Sequence, residues 1–250
     1  MSVAAMNTSS LNYPRVPLKH MDPAMLVFEL DRATQHLLPH ESRLITSAAT
    51  LASFLHRNQT RFVRNTMPRV PYIEHPLRVA LRLLRWDITD PELIAAALLH
   101  DVVEDCAAEL LEYFSGPEHA GETALECLQR LYGADVATLV EHVTNPADVV
   151  DAHSYLAHVR TLASSGSVAL YLKASDLKDN AGSIRHQLGH GKDERMLRMV
   201  AKYRPAVAVV LDALEAKHEH YLGLFAIITD MRVLLRDLDD LAGSHNIPLQ

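Results

Sequence analysis

From His75 to about Leu241, apolar residues recur at helical spacing with few interruptions. A period near 3.6 residues commits such segments to helices and leaves little chain for paired strands. Composition agrees. Only 9 of 250 residues are glycine, against ~7% in an average chain, and aromatics make up 6%. That argues against a sandwich or barrel of short aromatic-rich strands. An apolar share of 48% with 22% charged residues excludes disorder as the main state.

Helix starts are written into the chain. Asp22-Pro23 and Asp90-Pro91-Glu92 each pair a capping carboxylate with a proline in the first turn. The pattern predicts helices over 23–38, 40–56, 75–86, 91–105, 107–115, 121–132, 134–143, 149–164, 167–180, 193–216 and 219–241. Residues 57–72, with two prolines and no period, predict a loop. Pro205 is expected to kink or divide its helix. Val168–Leu172 could pass for a strand, but no partner accompanies it. The expected fold is all-α: a single-domain helical bundle with an N-terminal arm and helix over 1–39, a body over 40–210 and a C-terminal helical extension over 211–250.

With 24 Lys+Arg against 31 Asp+Glu the net charge is −7, the wrong balance for a nucleic-acid binder. The longest apolar stretches, such as Leu222–Ile228, are too short to predict a membrane span. Two cysteines, Cys106 and Cys127, make no disulfide framework. Together these predict a cytoplasmic protein, with the arm and the last helix as candidates for homodimer contacts.

Fifteen histidines raise the question of metal or proton chemistry. His100-Asp101 closes a strongly apolar run, and Glu104 and Asp105 follow each of them by four residues, one helical turn on. Four ionisable groups at the end of a buried helix need metal, water or partners. Taken alone, the pair is also what a helix end emerging into solvent looks like. His75 stands where loop meets helix, just before Pro76. Asp176 and Asn180 share one helical face with Lys173 and Ser183. Two histidines and two aspartates without a thiolate suit Mn, Fe, Zn or Mg. Between Ser42 and Ile73 there is no acid, but Arg43, Arg57, Arg61, Arg64 and Arg69 all fall there, which suits a phosphorylated ligand. His186 with His190 and His218 with His220 are spaced to chelate, but no carboxylate motif accompanies them.

Four motifs in order make the chain recognisable: His56-x-Asn-Gln-x-Arg61, Pro71-Tyr-Ile-x-His75-Pro, Ala97-Leu-Leu-His-Asp-Val-Val-Glu-Asp105 and Leu172-Lys-Ala-Ser-Asp176-x-x-x-Asn180. Over roughly residues 40–210 the sequence resembles the RelA/SpoT-type HD-domain hydrolases, in the form of a stand-alone small alarmone hydrolase. The resemblance implies an HD-type helical bundle that removes the 3′-pyrophosphate from (p)ppGpp, commonly with manganese or another divalent metal. It implies His75, His100, Asp101 and Asp176 as metal ligands, and Glu104 and Asp105 as the acidic pair supporting the attacking water. Arg61, Asn180 and Ser183 match positions near the nucleotide, Tyr72 an entrance position, and Lys173 is counted with the substrate contacts. Two segments depart from the family pattern. Phe62–Val70 is longer and lacks a glycine, and Ser175-Asp-Leu-Lys-Asp-Asn180 lacks the family's arginine and histidine. A different nucleotide, such as ppApp or the 2′-phosphate of NADPH, is the second reading. A non-catalytic nucleotide-binding module is the third.

Overall fold

The computed structural model describes residues 16–61, 69–189, 193–218, 224–245 and 247. Both proline-led starts take the form their chemistry dictates. Asp22 accepts the Met25 amide at 2.8 Å and opens α1 (Pro23–Thr34), and Asp90 accepts the Leu93 amide at 2.8 Å and opens α4 (Pro91–Leu99). Between them lie α2 (Pro39–Leu55) and α3 (Glu74–Arg85). The stretch expected as a loop carries two two-residue strands, β1 (Thr60–Arg61) and β2 (Val70–Pro71). They pair antiparallel with Thr60 opposite Pro71 and Arg61 opposite Val70. This clip delivers Arg61 and Tyr72 to the start of α3.

Every residue of α4 from Leu93 to Leu99 is buried, because the helix is surrounded by α2, α3 and α8 (Ala134–Val143). Three consecutive alanines at 95–97 leave room for neighbours to approach closely. The remaining elements are α5 (Val102–Asp105), α6 (Ala107–Phe114), α7 (Ala124–Tyr132), α9 (Ala152–Ser164), α10 (Ala169–Ala181), α11 (Asp193–His218) and α12 (Phe225–Ser244). The Val168–Leu172 stretch is therefore helix from Ala169 on.

Two differences from the sequence expectation concern helix continuity. The helix expected over 91–105 is divided: α4 stops at Leu99, Asp101 sits at φ −90° and ψ −6°, and α5 begins at Val102. Pro205 does not divide α11, which runs unbroken through it. Proline removes one backbone hydrogen bond, and α11 packs against α9, α10 and α12, which favours continuing the helix. Residue 210 accordingly falls inside α11, and Leu18, Leu98 and Ala242 belong to one core. Described residues before position 40, between 40 and 210, and after 210 thus share one core. No helix among the described residues is long and apolar enough to cross a membrane.

Candidate active site

The divided helix is what creates the site. In a continuous α-helix, adjacent His100 and Asp101 would point about 100° apart. With the turn relaxed at Asp101, His100 Nε2 and Asp101 Oδ1 lie 3.2 Å apart. His75, in the first turn of α3, brings its Nε2 to 3.4 Å from Asp101 Oδ2 and 3.3 Å from Asp176 Oδ1 on α10. Asp176 Oδ1 is also 3.7 Å from His100 Nε2. Ligand atoms of His75, His100 and Asp101 all fall within 4.8 Å of one another. Three helices and one helix break thus bring together the four residues expected to hold a metal.

The chemistry of this set fits a cation. His100 Nδ1 is 2.9 Å from the Ala97 carbonyl and His75 Nδ1 is 2.8 Å from Asp179 Oδ2, which assigns the ring proton to Nδ1 in both. In the neutral form of either ring, the Nε2 lone pair would then face the carboxylates. His100 Nε2 is buried and makes no hydrogen bond among the described residues. Burial lowers the His100 pKa, but Asp101 and Asp176 outweigh it and hold the ring raised to about 9. The cluster therefore draws positive charge. Oxygen and imidazole donors with no sulfur suit a hard or borderline divalent ion.

Behind His75 is a feature the sequence reading missed. Asp179 is fully buried and accepts from Arg78 Nε at 2.9 Å, Arg78 Nη2 at 3.1 Å and Arg82 Nη2 at 3.1 Å, in addition to its bond with His75. Arg78 also donates to Glu74 at 2.9 Å. A carboxylate on the far nitrogen of a ligating histidine fixes its tautomer and orientation. The available signal was two arginines one turn apart, at 78 and 82, on an otherwise apolar face.

The other expected residues divide by role. Tyr72 donates to Asp101 Oδ2 at 2.6 Å while stacked on His56, ring centroids 4.7 Å apart. It is a buttress for a candidate ligand as well as part of the pocket wall. Arg61 donates to Asn180 Oδ1 at 2.7 Å, and Asn180 Nδ2 donates to Asp176 Oδ1 at 2.6 Å, so these two reach Asp176 in sequence. Lys173 is buried with its Nζ 3.3 Å from Asp176 Oδ2, an ion pair beside the cluster. Glu104 and Asp105 stand exposed on α5, and Asn145 donates to the Glu104 carboxylate through its backbone and side chain. Desolvation raises the pKa of both carboxyls, and Asp101 adds to the rise.

A cavity of about 400 Å³ opens beside the cluster, and Arg61, Tyr72, Asn180 and Ser183 are among its lining residues. Arg69, Arg195 and Tyr203 line it as well. Arg195 and Tyr203 come from α11, distant in sequence, and nothing local marked them. Of the other arginines before His75, Arg57 pairs with Glu109 at 3.3 Å, Arg43 is exposed, and Arg64 lies outside the described residues. His190 and His220 lie outside them too, so neither spaced histidine pair is described in full. Cys106 is buried, its Sγ 3.5 Å from His56.

Comparison with known proteins agrees with this arrangement. The chain is 32% identical over 135 residues to the guanosine-3′,5′-bis(diphosphate) 3′-pyrophosphohydrolase MESH1 of Drosophila melanogaster, a match covering 54% of this chain and 65% of that protein. It is 38% identical over 105 residues to the Danio rerio protein of the same name, covering 41% and 47%. The chain thus spans about half to two thirds of the length of these curated relatives. A solved structure described as a metazoan ortholog of SpoT that hydrolyzes ppGpp superposes with a TM-score of 0.59. At 22% identity it covers 78% of this chain and 94% of its own, and shows a shared fold. Residues 48–172 match the model of the HD domain, so the break after α4, with its His-Asp pair, lies inside the matched region and the chain belongs to the HD domain family.

Proposed function

We propose that the protein hydrolyses the 3′-pyrophosphate of guanosine alarmones, releasing GDP or GTP and pyrophosphate, with Mn²⁺ as its metal in the cytoplasm. The observation that carries this reading is the convergence of His75, His100, Asp101 and Asp176 beside an arginine-lined cavity. A divalent cation held by these four would supply Lewis acidity for activating water and neutralising phosphate charge. The chain's own residues supply the rest. Arg61, Arg69 and Arg195 present guanidinium forks to phosphate oxygens, and Tyr203 offers an aromatic wall to the nucleoside. Glu104 and Asp105, with raised carboxyl pKa values, are suited to hold the attacking water and take up its proton. Water adds to the phosphorus bonded to the 3′ oxygen, the P–O3′ bond breaks, and the 3′ oxygen leaves with a proton.

The altered segment 177–179 does not count against guanosine alarmones. Leu177 is buried in the core, Asp179 is taken by His75 and the arginines, and Lys178 lines a different cavity. None of the three lines the cavity beside the metal cluster. The test is pyrophosphate release from ppGpp by Mn²⁺-loaded protein, with Asp101→Ala as control and ppApp and NADPH in parallel. Release from ppGpp that vanishes in the variant is expected. Intact ppGpp with either other nucleotide cut moves the assignment to that substrate, and no cleavage with no bound metal removes the catalytic reading.

A further inference from the structure

Helix α10 is a wall between two cavities that share no lining residue. Asn180 and Ser183 face the cavity beside the metal cluster, while Lys178 and Gly182 face a larger one of about 770 Å³ on the opposite side. That volume is in the range of small-molecule sites. Its walls come from the segment before α1, the end of α3, the end of α10 and the start of α12.

The larger cavity is cationic although the chain is acidic overall. Lys19, Arg82, Arg85 and Lys178 line it, with His20 and His186, against Asp230 and Asp237. Both acids already have partners. Asp230 accepts from Trp86 Nε1 at 2.8 Å and lies 3.5 Å from Lys178, and Asp237 lies 3.3 Å from Arg185. Arg82 shares Asp179.

Lys19 is different. Its ammonium donates to the Asp179 carbonyl at 3.1 Å and the Ser183 hydroxyl at 2.7 Å, both neutral acceptors. Burial pushes the Lys19 pKa down to about 7, against the opposing pull of Asp179 and with Arg82, Arg78 and Arg61 adding to the fall. Asp179, the acid acting on this desolvated ammonium, is already shared among His75, Arg78 and Arg82. An anion in the cavity would provide a further counter-charge, and ammonium and guanidinium donors on one wall are suited to phosphate oxygens.

We infer that this cavity is a second binding site, separate from the metal cluster, for a phosphorylated small molecule. The inference does not depend on the hydrolase reading. It also places the ligand one residue from the catalytic region: Lys19 touches Ser183 of the opposite cavity, and Arg82 touches Asp179, which orients His75.

The chain supplies its own reporter, because its single tryptophan, Trp86, lines this cavity. Inorganic pyrophosphate, which does not absorb near 280 nm, is titrated into metal-free full-length protein while Trp86 fluorescence is followed. A saturable change is expected. Lys19→Met and, independently of any folding defect there, Lys178→Ala should each weaken it at least ~10-fold, as loss of a charge-assisted contact implies. Arg195→Ala, on the opposite cavity, should leave the midpoint unchanged. Absence of a saturable Trp86 response, a response that Lys178→Ala leaves unaltered, or one that Arg195→Ala abolishes overturns the inference.

Discussion

On the Nδ1 side of His75, Glu74 and Asp179 meet Arg78 and Arg82, all four buried and joined by hydrogen bonds of 2.9–3.1 Å. Two negative charges face two positive ones. On the Nε2 side, Asp101 and Asp176 face each other across two imidazoles, with Lys173 as the one buried ammonium paired there among the described residues. Here His100 Nε2 has no hydrogen-bond partner among the described residues. The first cluster is closed and holds the histidine in place. The second draws a proton onto His100, and a cation that displaces that proton would find the same carboxylates. One imidazole thus connects a rigid support to a binding centre, with its tautomer set by the support.

The contrast can be broken from either side. The largest effect is expected from the open cluster: Asp101→Ala should lower the hydrolytic rate by ~10³-fold or more, since it removes a proposed metal ligand. Steady-state pyrophosphate release, with metal content measured by atomic absorption, checks it. In the closed cluster the effect should be on stability. Arg78→Met leaves Asp179 and Glu74 buried with too few donors, and breaking a buried pair costs ~3–5 kcal/mol. Urea unfolding of the metal-free protein measures that, and a loss under 1 kcal/mol would mean the cluster is not a support.

A smaller effect is expected at Tyr72. Removing its hydroxyl in Tyr72→Phe takes away the 2.6 Å bond to Asp101 while leaving the ring stacked on His56. Metal affinity should fall ~10-fold, at the low end for residues supporting a ligand, as read by titration calorimetry with Mn²⁺.

The open cluster also predicts a pH dependence. His100 has a folded-state pKa of about 9, above the ordinary value of 6.5. Its protonation therefore stabilises the metal-free fold fully below pH 6.5, and that contribution is lost as pH rises through 9. The Tm of metal-free protein should fall across that window. Bound metal replaces the proton, so the gap between metal-loaded and metal-free Tm should widen with pH. A gap that is constant or narrows would place the metal elsewhere.

Much of the fold was readable along the chain because its causes are local. Asp22 and Asp90 bond amides three residues away, and the apolar period from His75 onward selects helices whatever lies opposite. Failures came where packing decides. Of the two outcomes expected at Pro205, a kink or a division of the helix, division does not occur in α11, which packs against neighbouring helices on both sides of it. The run 91–105 was expected to be one helix, but it relaxes at Asp101, where the pair turns toward His75.

The same division holds for the site. His75, His100, Asp101 and Asp176 were legible as a candidate ligand set through four motifs in family order, since each residue taken alone also reads as a cap, a surface group or a helix end. Only the tertiary structure showed that Asp179, 104 residues from His75, fixes its ring, and that Arg195 and Tyr203 on α11 complete the cavity. It also showed that Lys173 is an ion-pair partner of Asp176. Those roles depend on distances between helices that approach only when one core forms, and no spacing within a single helix encodes them.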